Sequence, residues 1–190
     1  MNDLTTTGGK PPSLTDCRLS TELWTLLSSE APAELEVEAI CKVPALHAEA
    51  KVSVPRLAAV AAPCGADAVR ALLQPLVLVY GVGEAARSPA FWKIYREQLA
   101  GLPYEALEQA VNDYAGQPGA EFFPKPGPLK ALATSRAIPI LKALSRAKRV
   151  AQSAPMKPFT PAETAQRRAE VAALMSKFKI GPGAPAARQP

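Results

Sequence analysis

The stretch Ser88-Pro89-Ala90-Phe91-Trp92-Lys93-Ile94-Tyr95-Arg96-Glu97-Gln98-Leu99-Ala100-Gly101-Leu102-Pro103-Tyr104-Glu105-Ala106-Leu107 decides the fold class of this chain. Ser88 followed by Pro89 is a helix start, a capping residue ahead of a proline whose missing N–H costs nothing in the first turn. Phe91, Trp92, Tyr95 and Leu99 then recur at helical spacing, and Gly101 ends the helix. Leu102-Pro103 restarts at once, with Leu107, Ala110, Val111 and Tyr114 as the next apolar stripe and Gly116 as its end. Helices joined by so short a connection pack as an antiparallel or steeply crossed pair.

Outward from this pair the pattern stays helical. Upstream, Val69, Leu72, Leu73, Leu76, Val79 and Tyr80 keep helical spacing from Ala68 to Tyr80, with a kink expected at Pro75. Downstream, the prolines of Phe122-Phe123-Pro124-Lys125-Pro126-Gly127-Pro128 predict an extended segment anchored by one or both Phe rings. Pro128 then opens a last core helix with Leu129, Leu132 and Ala133 inward. Pro139 is expected to bend or break it, and Ile140 to Val150 to project into solvent.

Nearer the N-terminus, a helix is expected after Ser20 or Thr21, with Leu23, Trp24 and Leu27 on one face. Another follows Pro32, with Leu35, Ala39 and Ile40. From Lys42 to Pro63, prolines 44, 55 and 63 interrupt any period, so a connection with at most one short helix is predicted. At the other end, Thr160-Pro161-Ala162-Glu163 reads as a capping box. It opens a helix over 161–179 that carries Val171, Leu174, Met175 and Phe178 at i, i+3, i+4 and i+7.

The organisation that results is all-α. It consists of a disordered N-terminus (1–13), a helical and irregular region (14–65), a helical core with a basic extension (66–150), and a linker, amphipathic helix and flexible tail (151–190). Twenty prolines in 190 residues suit several short elements better than one large sheet or a long coiled coil.

Charge is segregated along the chain. Residues 1–53 carry −4, 54–87 carry +1, 88–124 carry −3 and 125–190 carry +11, for a net charge of +5. Between 125 and 150 there are seven bases and no acid. Lys142, Arg146, Lys148 and Arg149 are therefore candidate contacts to nucleic acid or to an acidic partner. No aromatic residue is interleaved to stack on bases, so sequence-specific reading is not expected. A solvated helix face is the alternative reading of the same run.

Enzymatic chemistry finds no motif. There is no GxxxxGK followed by Ser or Thr, and Gly81-Val82-Gly83-Glu84 lacks the third glycine of a dinucleotide loop. Gly116-Gln117-Pro118-Gly119 is a plain turn. The one histidine, His47, has no matching Ser or Cys context. Glu105 and Glu108, one turn apart, read as solvated charges, and Cys17, Cys41 and Cys64 are spaced too widely for a zinc site. A non-enzymatic chain with no catalytic, cofactor or metal site and no small-molecule substrate is expected. Neither a signal peptide nor an apolar run near the roughly 18 residues of a membrane helix is found, which predicts a cytoplasmic protein with no membrane partner.

The ordered series Trp92, Tyr95, Leu99, Pro103, Leu107, Tyr114, Phe123, Pro124 and Pro126 resembles the helical core of phage helicase-loader and loader-inhibitor proteins. It covers roughly residues 68–135; about 65 N-terminal residues lie outside it. The resemblance implies a small all-helical adaptor without ATPase activity, in the cytoplasm of a bacterial host. Such a protein contacts the replicative helicase, partly through a flexible C-terminal region, and assists or restrains its loading on DNA. Val171, Leu174, Met175 and Phe178 are then the expected partner-binding residues, docking as an amphipathic helix in a groove. DNA is a second candidate partner, through the basic region 125–150. Two other readings remain open at this point: a basic DNA-binding replisome organiser or regulator, and a phage assembly or scaffold protein.

Overall fold

The computed structural model describes residues 12–119, 121–156 and 161–177. Among them are eight α-helices: α1 (Thr21–Ser28), α2 (Ala33–Lys42), α3 (Pro44–Val60), α4 (Gly65–Val79), α5 (Pro89–Leu99), α6 (Tyr104–Ala115), α7 (Pro126–Gln152) and α8 (Pro161–Lys177). Two 3-10 turns, Leu14–Cys17 and Ala85–Arg87, complete the set, and no strand occurs among the described residues. The expected disorder of the first residues and the role of Phe178 fall outside the described residues. The chain divides into two units, Met1–Met156 and Lys157–Pro190.

Local signals place most helix ends. The Ser20 hydroxyl accepts from the Leu23 N–H at the start of α1, satisfying one of the orphan donors of the first turn. Pro44, Pro89 and Pro126 each open a helix in its first turn. Gly81, at φ 67°, takes the left-handed conformation just past α4, where a side chain would be strained. Cys64 and Gly65 donate to Leu102 and Ala100, so the corner between α3 and α4 is stitched to the corner between α5 and α6.

Three expectations about proline are corrected. Residues 44–60 are one continuous helix, α3, and not a connection. Pro139 neither breaks α7 nor sends its second half into solvent, and α7 begins at Pro126 instead of Pro128. For the two interior prolines, Pro55 and Pro139, the physical reason is the same. An interior proline costs about 3 kcal/mol where its ring meets the carbonyl four residues back. Pro55 is exposed and Pro139 is half-buried, with Lys51 and Ser135, four residues earlier, both exposed. The carbonyls they leave unpaired can therefore reach water. Meanwhile the opposite face of α3 buries Leu46, Ala50, Leu57 and Val60, and α7 buries Ile140, Ala143, Ala147 and Val150 on the face that Pro139 borders. Each large aliphatic side chain returns roughly 1.5–3 kcal/mol on burial, which outweighs the penalty.

α7 is the spine of the first unit. Its N-terminal half, with Leu129 and Ala133, joins Val69, Leu73, Trp92, Tyr95, Leu99, Leu107 and Ala110 in one apolar cluster. Its C-terminal half, from Ala137 to Val150, joins Leu23, Leu27, Ile40, Leu46, Ala50 and Leu57 in a second. The N-terminal helices thus exist to cover the far half of α7. The expected linker also starts later than residue 151. The Ser153 carbonyl meets His47 Nε2 at 3.0 Å, and the Met156 N–H donates to the Cys41 carbonyl at 2.9 Å.

The segment before α7 is extended as predicted, but its two Phe rings differ. Phe123 packs 5.6 Å from both Phe91 and Tyr95, whereas Phe122 is 76% exposed. The Tyr95 hydroxyl donates to the Pro124 carbonyl at 2.8 Å and locks the segment down. Burial, and then the Tyr114 hydroxyl, push the Tyr95 phenol up to about 12. The unfolded chain ionises near pH 10, so this contribution to stability is complete below that pH and is lost as pH rises towards 12. Thermal melts between these values should show a fall that is smaller in Tyr95→Phe, whose melting temperature starts lower at neutral pH.

Candidate binding surfaces

The basic run is the first surface to place. Lys142 Nζ donates to both Glu30 oxygens at 2.7 Å, and Arg149 Nη2 meets Glu34 at 3.1 Å. Arg136 pairs with Asp113 at 2.7 Å. The Lys142 hydrogen bond holds the exposed Glu30 carboxyl below its ordinary range. At Glu34 its own backbone N–H, then Arg149, does the same. Arg146 is buried: Nη1 donates to the carbonyls of Leu26 and Leu27 at 2.9 and 3.2 Å, and Nη2 to that of Ala31 at 2.6 Å. It closes the C-terminus of α1, where unpaired carbonyls and the negative end of the helix dipole favour a cation. Of the four bases expected at an outside partner, Arg146 is therefore inside the fold and two are in ion pairs. Lys148 remains exposed. Two N-terminal acids, Glu30 and Glu34, thus neutralise two C-terminal bases that are more than a hundred residues away in the chain.

A different basic surface emerges between α4 and α5. A groove of about 470 Å³ is lined by Arg70, Gln74, Val77 and Leu78 of α4, by Gly83, Ala86 and Arg87 of the connection, and by Pro89, Trp92 and Arg96 of α5. Ala66 and Asp67, in the first turn of α4, also line it. Its floor is built from Trp92, which is buried and donates from Nε1 to the Ala86 carbonyl at 2.7 Å. The Arg70 guanidinium lies 5.5 Å from the centre of the Trp92 ring, a cation–π stack, and Arg96 Nε donates to the Trp92 carbonyl at 3.4 Å. Among the described residues none of Arg70, Arg87 and Arg96 is in an ion pair. These three arginines lie in segments whose net charges are +1 and −3. No linear count could have found them; only the packing of α4 on α5 brings them together.

The third surface is α8, in the second unit. Val171, Leu174 and Met175 lie at helical spacing on it and are 54%, 53% and 45% exposed. Arg168 and Lys177 are on the same helix. Glu163 stands in its first turn, as the capping reading requires, while Thr160 lies outside the described residues.

The residues that carry the resemblance lie in the core or at its edge. Trp92, Tyr95, Pro103, Leu107 and Pro124 are buried, and Tyr114, Phe123 and Pro126 half-buried. Glu105 is no solvated charge: its carboxylate accepts from the Leu14 N–H at 2.6 Å and tethers the first 3-10 turn to α6. Cys17 and Cys41 are buried and Cys64 half-buried; burial, the main cause in each, pushes all three thiols up. Among the described residues no three His, Cys, Asp or Glu side chains converge as metal ligands, and no helix is long and apolar enough to cross a membrane. No family model, curated protein or solved structure matches the chain.

Proposed function

We propose that this chain is a non-enzymatic adaptor of phage or prophage DNA replication, which binds the replicative helicase and assists or restrains its loading on DNA. The observation that carries this reading is α8, a helix in its own unit whose Val171, Leu174 and Met175 are left uncovered among the described residues. A helix of 17 residues is marginal alone in water, and a hydrophobic groove on a partner stabilises it by burying that face. The resemblance of the α5–α6 pair to helicase loaders supplies the partner. The pairing of Lys142 and Arg149 and the burial of Arg146 favour this reading over a replisome organiser that grips duplex phosphate with the same run. DNA contacts, where made, would come from the exposed Lys125, Lys130 and Lys148.

The test is truncation after Met156, where the first unit ends. The shortened protein should keep its melting temperature and lose co-purification with the host helicase. In the full chain, Leu174→Glu with Met175→Glu should weaken the association by roughly 30-fold, the loss of an anchor worth about 2 kcal/mol. Helicase retained at full affinity by the truncated protein would refute the docking role of α8.

A further inference from the structure

We propose that the groove between α4 and α5 is a docking site for an acidic peptide segment of a partner protein. Its carboxylates would sit on Arg70, Arg87 and Arg96, and an apolar side chain against Leu78 and Pro89. This inference does not depend on α8 or on the identity of the helicase.

Charge is the first argument. Three guanidinium groups line a groove of about 470 Å³ that contains one carboxylate, Asp67. Elsewhere in the same unit the fold gives Arg136, Arg149 and Lys142 each an acidic partner. The neighbouring pair Lys93–Glu97, at 3.8 Å, leaves Glu97 engaged with its own helix. The groove arginines are thus a cluster of positive charge with no ion pair among the described residues. Guanidinium is the cation best suited to grip carboxylates in a bidentate fork.

The lining then decides between an acidic peptide and a nucleic acid. Binding of single strands relies on exposed aromatic rings on which bases stack. The one aromatic ring in this groove, Trp92, is 4% exposed, and Arg70 lies over it. What the groove does offer is aliphatic: Leu78 is 80% exposed, with the half-buried Ala86 and the exposed Pro89 in the same lining. A phosphate backbone has nothing to cover such a surface, whereas a leucine or phenylalanine between glutamates covers it while its neighbours reach the arginines. The Arg70–Trp92 stack and the Trp92–Ala86 hydrogen bond fix the floor beforehand, which lowers the ordering cost of binding.

The experiment uses the full chain and fluorescence anisotropy with a labelled short peptide of alternating glutamate and leucine. Its two controls are the same peptide with glutamine for glutamate and an oligothymidylate of equal length. Binding of the acidic peptide should weaken with salt. It should fall about tenfold in the combined variant Arg70→Gln, Arg87→Gln, Arg96→Gln, as three partly exposed ion pairs are lost. Arg87 takes no part in the Trp92 stack, so Arg87→Gln alone keeps the fold and should weaken binding about threefold. Leu78→Ser should weaken it further, and the combined variant Lys142→Gln, Lys148→Gln, Arg149→Gln should leave it unchanged. Equal binding of the glutamine peptide would overturn the proposal, as would affinity indifferent to Arg87→Gln. Tighter binding of the oligothymidylate, lost in the arginine variants, would assign the groove to nucleic acid and overturn it equally.

Discussion

Arg146→Ala is expected to destabilise the first unit by about 3 kcal/mol, although the residue stands in the middle of a basic run. Its guanidinium satisfies the carbonyls of Leu26, Leu27 and Ala31 from a buried position. Alanine leaves those acceptors without donors at the end of α1 and opens a void beside Leu27. At roughly 2–4 °C per kcal/mol for a unit of this size, the melting temperature should drop by roughly 6–12 °C. Arg146→Lys should recover only part of it, because one ammonium on a flexible stem cannot hold carbonyls spread over the end of α1 and the connection after it as a planar fork does. Lys148→Gln, two residues on and exposed, should stay within about 0.5 kcal/mol of the parent. Melts of the three variants separate the two roles. If Arg146→Ala were as mild as Lys148→Gln, the residue would be a surface charge.

Trp92→Ala should cost about 3–5 kcal/mol, the usual range for deleting a buried tryptophan. The ring packs at 5.2 Å from Phe91 and 6.4 Å from Tyr95, and its Nε1–H holds the Ala86 carbonyl. Its loss therefore empties the centre of one apolar cluster and frees the 3-10 turn that carries Arg87. Trp92→Phe keeps part of the volume and loses the hydrogen bond, and should fall between the parent and alanine. Chemical denaturation read by circular dichroism measures all three. An unchanged midpoint in Trp92→Ala would mean that the ring is not core.

The parts of the fold legible in the sequence were those set by neighbours along the chain. Ser20 and Pro89 start helices because caps and first-turn prolines act within four residues, and the stripes of α4, α5 and α6 follow from helical periodicity. The all-α class rests on those signals alone. So does the extended Phe122–Lys125 segment, where Pro124 and Pro126 each restrict the residue before them whatever surrounds it.

Tertiary structure decided the rest, for reasons of energy and distance. Proline's cost is local and readable, but the burial that overrides it in α3 and α7 comes from elements far away, so the sequence marks a break where the fold keeps a helix. Charge behaves the same way. Arg146 and Lys148 are similar letters in one run, and only the end of α1, some 120 residues earlier, makes one a buried clamp and leaves the other in water. Conversely, Arg70, Arg87 and Arg96 are scattered through segments of little or negative net charge, and the packing of α4 against α5 makes them one surface. A sum along the chain counts charges; whether each is paired depends on which helices meet, and that is fixed by how α7 divides the core in two.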